Sequence, residues 1–338
     1  MSSFKALAAA LLLAACPIDA AVIKFATIAP EGSTWMKALN DLNAEVQQRT
    51  SGRVRFKFYP GGVQGDEKDV VKKIRIGQLQ AGAFTGVGLG EIAPPVRLLD
   101  APWLFHDDAE VDYIHGAFSK DFNASIDKGG YVLLGWMDLG WVYVFSRTPI
   151  AGPEDMKKAR MWVWEGDPIA QAAYKAIGVN PIPLSIVDVM SSLETGLIDA
   201  VYGPPMGVTA LQWFRRLKYI YALPMADSSG AVLIAKDAFH ALSEDDRGIL
   251  LQASAKHLRR LNLLCRKENV EALAALQNQG LILSQKPSSE MMQHTEDLGW
   301  RARRELAGRL FSQELLDRVE GALAKRRSLK ASPARGKA

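Results

Sequence analysis

The stretch between residues 153 and 205 constrains the fold most, because it predicts five alternating elements of secondary structure. Strands are predicted at residues 160–164, 181–184 and 198–202, with helices at 168–177 and from Ser185 or Asp188 to Thr195. Gly178 and Gly196 follow these helices, at the position where glycine commonly ends a helix. A strand–helix–strand–helix–strand order at this spacing is typical of two right-handed crossover units in a parallel sheet.

The binding site is expected at one edge of this sheet. Ligands of open α/β sheets lie beyond the carboxyl ends of the strands, so the loops after Trp164, Leu184 and Tyr202 should face one crevice. The candidate ligand-binding residues are Trp141, Tyr143, Arg160, Trp162, Trp164, Ser185, Tyr202, Gly203, Met206 and Trp213. Any single ring among them could instead belong to the core, because apolar sheet faces are usually packing surfaces.

The first residues predict export from the cytoplasm. Lys5 precedes a short run of alanine and leucine, which is typical of a secretory signal peptide over residues 1–20. Two processing sites compete: ordinary cleavage after Ala20, or a lipoprotein signal in which Cys16 is lipidated. In either case Cys265 remains as the only thiol, so we expect a buried, inert cysteine and no intramolecular disulfide. The expected location is the periplasm.

Charge is distributed unevenly along the 338 residues. The formal net charge is +4, yet residues 325–338 alone contain six lysines and arginines and no acid, so the rest of the chain is slightly acidic. This distribution argues against a nucleic-acid-binding patch on the folded body and predicts a basic, disordered tail. About half of the residues are apolar, which suits two domains with full cores.

Catalytic and metal-binding motifs are not found in the sequence. The histidines are scattered, no nucleophile elbow or Cys-x-x-Cys pair occurs, and Gly86, Gly88 and Gly90 lack the spacing of a nucleotide loop. Glu165 and Asp167 lie beside the predicted crevice, where they would serve either as an acid–base pair or as a helix cap with a neighbouring acid. The sequence therefore predicts a binding protein rather than an enzyme, with no metal and no cofactor.

Short motifs along residues 23–283 match a known family in order and spacing. They include Ala29-Pro30-Glu31-Gly32-Ser33, Tyr59-Pro60-Gly61-Gly62, Leu99-Asp100-Ala101-Pro102-Trp103, Ile177-Gly178-Val179-Asn180-Pro181 and Leu193-Glu194-Thr195-Gly196-Leu197-Ile198-Asp199. Each motif is weak alone, but together they make the chain resemble the C4-dicarboxylate-binding type of solute-binding protein from tripartite ATP-independent periplasmic (TRAP) transporters.

This resemblance implies a fold and a partner. The implied fold is an α/β, two-lobe periplasmic binding protein of type II-like architecture, with hinge strands and long C-terminal helices. The implied lobes are residues 21–140 plus 225–262, and residues 141–224 plus 263–324 with the long helices. Such a protein closes by a hinge motion on a small organic ligand and hands it to TRAP-type membrane permease subunits, acting as a monomer or a homodimer.

Departures from the family pattern concern the ligand. The family usually carries an arginine that binds the ligand carboxylate where this chain has Trp162. A frequent asparagine falls at Gly203, and a second arginine of acidic-sugar binders falls near Val142. The resemblance therefore implies an atypical subgroup whose ligand is neutral, apolar or aromatic.

Three alternatives stay open. A carboxylate could still be bound through Arg160, with help from Tyr143, Gln212 or main-chain donors. A periplasmic enzyme would use Glu165 and Asp167 on a small substrate. A sensor or partner subunit would dock onto another envelope protein through its exposed helices.

Overall fold

The computed structural model describes residues 20–331, which form strands β1–β10 and helices α1–α13. The strands β1–β10 are Ala21–Ala26, Val54–Tyr59, Ala81–Phe84, Tyr131–Ser146, Trp162–Trp164, Ile182–Leu184, Ala200–Gly203, Tyr219–Ile220, Ala226–Ala235 and Ile282–Leu283. The helices α1–α13 are Thr34–Arg49, Glu67–Arg75, Gly86–Ile92, Asp108–Ala117, Ser119–Lys128, Pro153–Met156, Pro168–Ile177, Val189–Thr195, Pro205–Ala210, Lys236–His240, Glu244–Asn278, Ser289–Leu306 and Gln313–Ala331. Short 3-10 helices cover Pro94–Asp100, Ile186–Asp188 and Trp213–Arg216. The predicted signal peptide, with Cys16, lies outside the described residues except for Ala20.

One long strand, β4, joins two α/β lobes. From Tyr131 to Val142 it pairs antiparallel with β9, and from Tyr143 to Ser146 it pairs antiparallel with β7. We call lobe I the part built on β1, β2, β3 and β9, and lobe II the part built on β5, β6, β7, β8 and β10. The principal sheet runs in the order β10-β8-β4-β9-β3-β1-β2, with β7 also beside β4.

Local patterns explain the strands of lobe I. In β2 the apolar Val54 and Phe56 are buried while Arg55 and Lys57 are exposed, as alternation along a half-buried strand requires. Strands β1, β2 and β3 are parallel, and helices α1 and α2 connect them. On α11, Cys265 is a buried free thiol, as predicted, and burial raises its pKa to about 12.

The predicted crossover units are present in lobe II. Strands β5 and β6 pair in parallel, and Met161 forms a parallel bridge to Ala200, which places β7 on the other side of β5. Helices α7 and α8 end at Gly178 and Gly196, whose φ angles of 86° and 75° lie in the left-handed region that glycine adopts without strain. The glycine signals in the sequence therefore located both helix ends.

Asp138, Leu139 and Gly140 predict a turn between two strands at residues 131–137 and 141–145, but the structure differs from this prediction. A single strand, β4, runs through the segment, with register shifts between Leu133 and Gly135 and between Asp138 and Gly140. These shifts bend the strand without ending it, as β-bulges do. Gly140 thus lies at an irregularity within β4 and not at the end of a strand.

The long C-terminal helices connect the two lobes. Helix α11 packs against α1 and β4, α12 packs against α7 of lobe II, and α13 packs against α4 of lobe I. The prediction that the tail is disordered from residue 325 was wrong as far as Ala331, because α13 continues to that residue. Two basic side chains of the predicted tail find acids near α4: Arg327 pairs with Glu110, and Lys330 pairs with Asp107. Residues 332–338 lie outside the described part.

Replacing Arg327 by alanine should lower the free energy of unfolding by about 2 kcal/mol, because its guanidinium donates to a charged acceptor that is almost fully buried. Arg327 donates to both carboxylate oxygens of Glu110, at 2.8 and 2.7 Å, and the Glu110 side chain is only 2% exposed. Urea denaturation measures the difference. The matched control is Lys330→Ala, which breaks an exposed ion pair. This substitution should lower the free energy of unfolding by less than about 0.5 kcal/mol. Equal effects of the two substitutions would contradict the prediction.

Candidate functional site

A cavity of about 190 Å³ lies between the lobes, where the ends of several elements meet. Lobe I contributes the loop after β1, the start of α3, and the 3-10 helix Pro94–Asp100. Lobe II contributes β5, α7, β7 and α9, and the start of β9 lies beside them. The wall is formed mainly by apolar and aromatic side chains, so the cavity favours a ligand with an apolar body.

A cluster of aromatic rings forms the wall on the side of lobe II. Trp162 and Trp164 alternate with Val163 on β5 and therefore lie on the same face of the strand. The Trp162 ring stacks on Tyr202 at 4.9 Å and meets the edge of Trp213 at 5.4 Å between ring centroids. Its Nε1 donates to the carbonyl of Leu184, and the residue is 1% exposed. Trp162 is thus both a central packing residue and part of the cavity wall.

A buried cation, Arg97, also lies on the wall, and the sequence analysis did not identify it. Its Nη2 donates to Asp167 Oδ1 at 2.7 Å across the gap between lobes I and II. Asp100 Oδ2 lies 3.3 Å from Arg97 Nε but forms no hydrogen bond with it, so this Nε has no hydrogen-bond partner among the described residues. Burial opposes the charge on Arg97, which is 3% exposed, yet the carboxylates of Asp167 and Asp100 outweigh it and raise the pKa.

Asp167 has several partners at once. Its Oδ1 caps α7 by accepting from the amides of Ile169 and Ala170, and its Oδ2 accepts from the Tyr202 hydroxyl at 3.0 Å. The helix-cap interpretation made from the sequence is therefore confirmed. The ion pair with Arg97 adds a role in holding the lobes together that no sequence pattern indicated.

Three further carboxyl groups reach the cavity wall. Burial raises the pKa of Glu67 to about 7, although this group accepts hydrogen bonds from Thr85 and Gly88. Burial also raises the pKa of Asp100 to about 6, against the effect of the nearby guanidinium. For Asp227, burial and the surrounding acids raise the pKa well above its ordinary value. The wall thus carries four carboxyl groups, including Asp167, and the single arginine described above.

A second contact between the lobes involves Trp164 and Ile186 of the cavity wall. Asp66, which precedes α2 in lobe I, accepts from Trp164 Nε1 at 2.9 Å. It also accepts from the Ser185 hydroxyl and from the amide of Ile186 in lobe II. Together with the ion pair between Arg97 and Asp167, these bonds hold the lobes in a closed arrangement.

The structure places five of the ten predicted site residues on the cavity wall. These five are Trp162, Trp164, Tyr202, Gly203 and Trp213. The other five lie elsewhere: Trp141 Nε1 donates to Asp108, Tyr143 pairs with Gly203 across β4 and β7, Ser185 donates to Asp66, Met206 packs into the core of lobe I, and Arg160 pairs with Asp199.

Arg160 lies outside the cavity and has a partner of its own. Its side chain is 56% exposed, and its Nε donates to Asp199 Oδ2 at 3.0 Å. Arg160 precedes β5 by two positions and is not among the residues that line the cavity. The structure therefore does not bring Arg160 to the cavity, and the proposal that it binds a ligand carboxylate gains no support from its position.

The predicted acid pair is not assembled as a catalytic site either. Glu165 is exposed and does not line the cavity, while Asp167 is occupied by its partners. Among residues 20–331, no three or more histidine, cysteine or acidic side chains come together in a way that could hold a metal ion. In the same part of the chain, no helix is both long enough and apolar enough to span a membrane.

The closed two-lobe arrangement around an aromatic cavity agrees with a family match. Residues 25–302 match the family described as bacterial extracellular solute-binding protein, family 7, also called DctP. The chain belongs to this family. The DctP family supplies the solute-binding proteins of TRAP transporters; they are periplasmic, bind a small ligand and deliver it to membrane permease subunits. The resemblance seen in the sequence is thereby confirmed.

The names of two relatives in the DctP family state what these proteins bind. The 2,3-diketo-L-gulonate-binding periplasmic protein YiaO of Escherichia coli is 30% identical over 220 residues, which cover 64% of this chain and 66% of YiaO. The C4-dicarboxylate-binding periplasmic protein DctP of Rhodobacter capsulatus is 23% identical over 261 residues, covering 77% and 78% of the two chains.

Solved structures confirm the predicted two-lobe fold. The sugar acid binding protein DctPAm of Advenella mimigardefordensis, in complex with galactonate, superposes with a TM-score of 0.84 at 19% identity and covers 91% of this chain and 99% of its own. A TRAP periplasmic solute-binding protein of Desulfovibrio salexigens with bound orotic acid gives a TM-score of 0.82, also at 19% identity, covering 90% and 99%.

Proposed function

We propose that this chain is the extracytoplasmic solute-binding subunit of a TRAP-type transporter and that it closes on a small organic acid with an apolar or aromatic body. It delivers this ligand to membrane permease subunits and catalyses no reaction. The observation that carries the proposal is the buried Arg97 on an otherwise mainly apolar wall between the lobes. The relatives named for 2,3-diketo-L-gulonate and C4-dicarboxylates support an acid as the ligand.

Arg97 is the residue that would bind the carboxylate. Its Nε is buried without a hydrogen-bond partner, and a guanidinium binds a planar carboxylate with strong, directional hydrogen bonds. The apolar body of the ligand would then lie against Trp162, Trp164 and Trp213. The cavity volume of about 190 Å³ is below the roughly 300 Å³ at which pockets for drug-sized ligands begin, so the ligand is small.

This proposal revises the neutral ligand expected from the sequence. That expectation rested on Trp162 standing where the family usually carries an arginine, and it did not consider Arg97. A neutral, apolar ligand stays as the second candidate because Asp167 already pairs with Arg97 and because most of the wall is apolar. The atypical subgroup with tryptophan in this position also stays a proposal.

The lobe boundaries implied by the resemblance, residues 21–140 plus 225–262 and 141–224 plus 263–324, are retained as part of the proposal. The change of partner along β4 between Val142 and Tyr143 supports the first boundary. The end of the second range is revised, because the contact of α13 with α4 assigns the last helix, from Gln313 onward, to lobe I. The protein acts as a monomer or a homodimer in the periplasm.

Mass spectrometry of the native ligand tests the function. The protein is purified from its own host, denatured, and the released small molecules are identified and counted per protein chain. We expect an organic acid near one molecule per chain. The exposed Arg160→Ala variant serves as the control and should retain the same amount. A neutral compound in stoichiometric amount would favour the second candidate, and a chemically altered product would favour an enzyme.

Affinity for an acid should fall as the pH rises through the pKa of Asp100. This pKa is about 6, and an anion bound at Arg97 would raise it further because the two negative charges repel each other. Binding therefore takes up a proton, and the affinity for the probe 4-phenylbutanoate should fall by up to tenfold per pH unit between about pH 6 and pH 7.5. Titration calorimetry measures the slope.

The matched control for this pH dependence is the neutral 4-phenylbutanamide, whose affinity should change little over the same range. Asp100→Asn should reduce the slope for the acid, because the amide carries no titrating charge; the slope that remains is the contribution of Glu67, whose pKa is about 7. An affinity for 4-phenylbutanoate that rises with pH would contradict the prediction.

A further inference from the structure

Asp227 differs from the other carboxyl groups on the cavity wall. Each of those accepts hydrogen bonds from protein groups: Glu67 from Thr85 and Gly88, Asp167 from Arg97 and Tyr202, and Asp100 from the amide of Ser229. Asp227 is only 3% exposed, yet its Oδ2 is buried with no hydrogen-bond partner among residues 20–331. A buried polar atom without a hydrogen-bond partner costs free energy. This cost indicates that Asp227 Oδ2 bonds to a group from outside the protein.

The position of Asp227 points to the cavity as the source of that partner. Asp227 is the second residue of β9 and lies opposite Trp141 on β4, close to where β4 passes from one lobe to the other. Its neighbours Ala226 and Ser228 line the cavity as well. Asp227 therefore lies on the part of the cavity wall beside β4, the strand that joins the lobes.

The charges around Asp227 favour a proton on its carboxyl group. Three acids act on it, Asp138 from β4, Asp100 from the 3-10 helix and Asp108 from α4, against one guanidinium, that of Arg266 on α11. Asp138 and Arg266 already form an ion pair with each other. Burial and the neighbouring acids raise the pKa of Asp227 well above its ordinary value, which favours the un-ionised carboxyl group with its O–H donor.

We propose that Asp227 is a specificity-determining residue that donates a hydrogen bond from its un-ionised carboxyl group to an acceptor oxygen of the bound ligand. The inference rests on the proposed function, since it takes an organic acid as the occupant. It narrows the ligand class to organic acids that carry a second oxygen, a ketone or a hydroxyl, in addition to the carboxylate at Arg97. The ligand would then be fixed at two polar points, its carboxylate at Arg97 and its second oxygen at Asp227.

The protonation state can be tested without a ligand. Infrared spectra of the ligand-free protein at pH 7 should contain a carbonyl band of an un-ionised carboxylic acid that is missing in Asp227→Asn. Subtracting the two spectra removes the contributions of Glu67 and Asp100. A difference spectrum that shows a carboxylate band instead would overturn the proposal.

Recognition of the acceptor is tested with three probes: 4-phenylbutanoate, 4-oxo-4-phenylbutanoate and 2-oxo-4-phenylbutanoate. The oxo acids add one acceptor oxygen at different distances from the carboxylate. We expect wild-type protein to bind one of them at least tenfold more tightly than 4-phenylbutanoate in calorimetry. Asp227→Asn should retain most of this preference because its amide can still donate, whereas Asp227→Leu should lose it. A merely structural role would change all three affinities together.

The outcomes separate this inference from the proposed function. If all three acids bind equally well, or if Asp227→Leu keeps the preference, only the role of Asp227 is wrong. If no acid binds to wild-type protein, the proposed ligand class fails and the inference fails with it. Tighter binding of 4-phenylbutylamine than of the acids, lost in Asp227→Asn, would show an ionised Asp227 that recognises a cation, and would also overturn the proposal.

Discussion

Replacing Arg97 by methionine is expected to weaken the binding of 4-phenylbutanoate at least 100-fold. Arg97 is the only cation on the described wall of the cavity, and it lies in apolar surroundings where a charge-assisted hydrogen bond to a carboxylate is strong. The substitution also leaves Asp167 and Asp100 facing the ligand without a positive charge. A loss of about 3 kcal/mol, which truncation of a buried ion-pair partner commonly causes, corresponds to a factor above 100.

Stability has to be separated from affinity in this experiment. Breaking the buried pair between Arg97 and Asp167 should by itself cost about 3–5 kcal/mol of folding free energy, because an uncompensated charge remains. The double variant Arg97→Met with Asp167→Asn removes both charges and keeps a side chain that can cap α7. It should regain much of the stability, as measured by urea denaturation, but not the affinity.

Two further variants test whether the loss of affinity comes from the Arg97 guanidinium itself. Arg97→Lys retains the positive charge but lacks the planar guanidinium. Its affinity for 4-phenylbutanoate should lie between the affinities of wild-type protein and the methionine variant. Arg160→Ala removes an exposed guanidinium outside the cavity and should change the affinity less than twofold. A folded double variant that binds 4-phenylbutanoate as tightly as wild-type protein would mean that the carboxylate is held elsewhere.

Sequence patterns located the framework of the site because that framework depends on local signals. Gly178 and Gly196 end α7 and α8 through their left-handed backbone conformation, and Asp167 caps α7 through its own neighbours. These interactions span a few residues, so the sequence alone indicates them. The aromatic residues of β5 and β7 followed from the same framework, since strand ends in a parallel sheet lie at a common edge.

The polar half of the site could not be found in this way. The partner of Arg97 is Asp167, which lies 70 positions further along the chain, and the pairing arises only when the lobes meet. Asp227 lies near the start of β9 and gives no sign in the sequence that its carboxyl group is buried and unpaired. One signal was available for Arg97: it is the single charged residue between Glu91 and Asp100, and it comes just before a motif of the family. An isolated charge in an apolar segment is a reason to look for a buried partner.

The C-terminal tail is a second case in which partners distant in the chain could not be found from the sequence. A count of basic residues predicted disorder from residue 325, since unpaired like charges repel each other. The count did not include the acids of another segment, Glu110 and Asp107, with which Arg327 and Lys330 pair in the folded protein. Charge patterns in one segment therefore predict disorder only where no complementary surface is available.

Replacing Trp162 by alanine should lower the free energy of unfolding by about 3–5 kcal/mol. The ring is 1% exposed and is surrounded by Trp164, Tyr202 and Trp213, so its loss removes a large apolar surface and leaves a void in lobe II. Urea denaturation followed by circular dichroism measures the change. The matched control is Trp300→Ala. The Trp300 ring is 52% exposed and contacts the Arg304 guanidinium, so we expect its loss to lower the free energy of unfolding by at most about 1 kcal/mol.

Trp162→Phe distinguishes packing from recognition at this position. Phenylalanine fills much of the space but lacks the Nε1–H that donates to the carbonyl of Leu184. We therefore expect the free energy of unfolding to fall by about 1–2 kcal/mol. If Trp162 also forms part of the ligand site, this folded variant should bind 4-phenylbutanoate several-fold more weakly than wild-type protein. Unchanged affinity would assign Trp162 to packing alone, and the apolar body of the ligand would then have to lie against Trp164 and Trp213, the two tryptophans that share this wall.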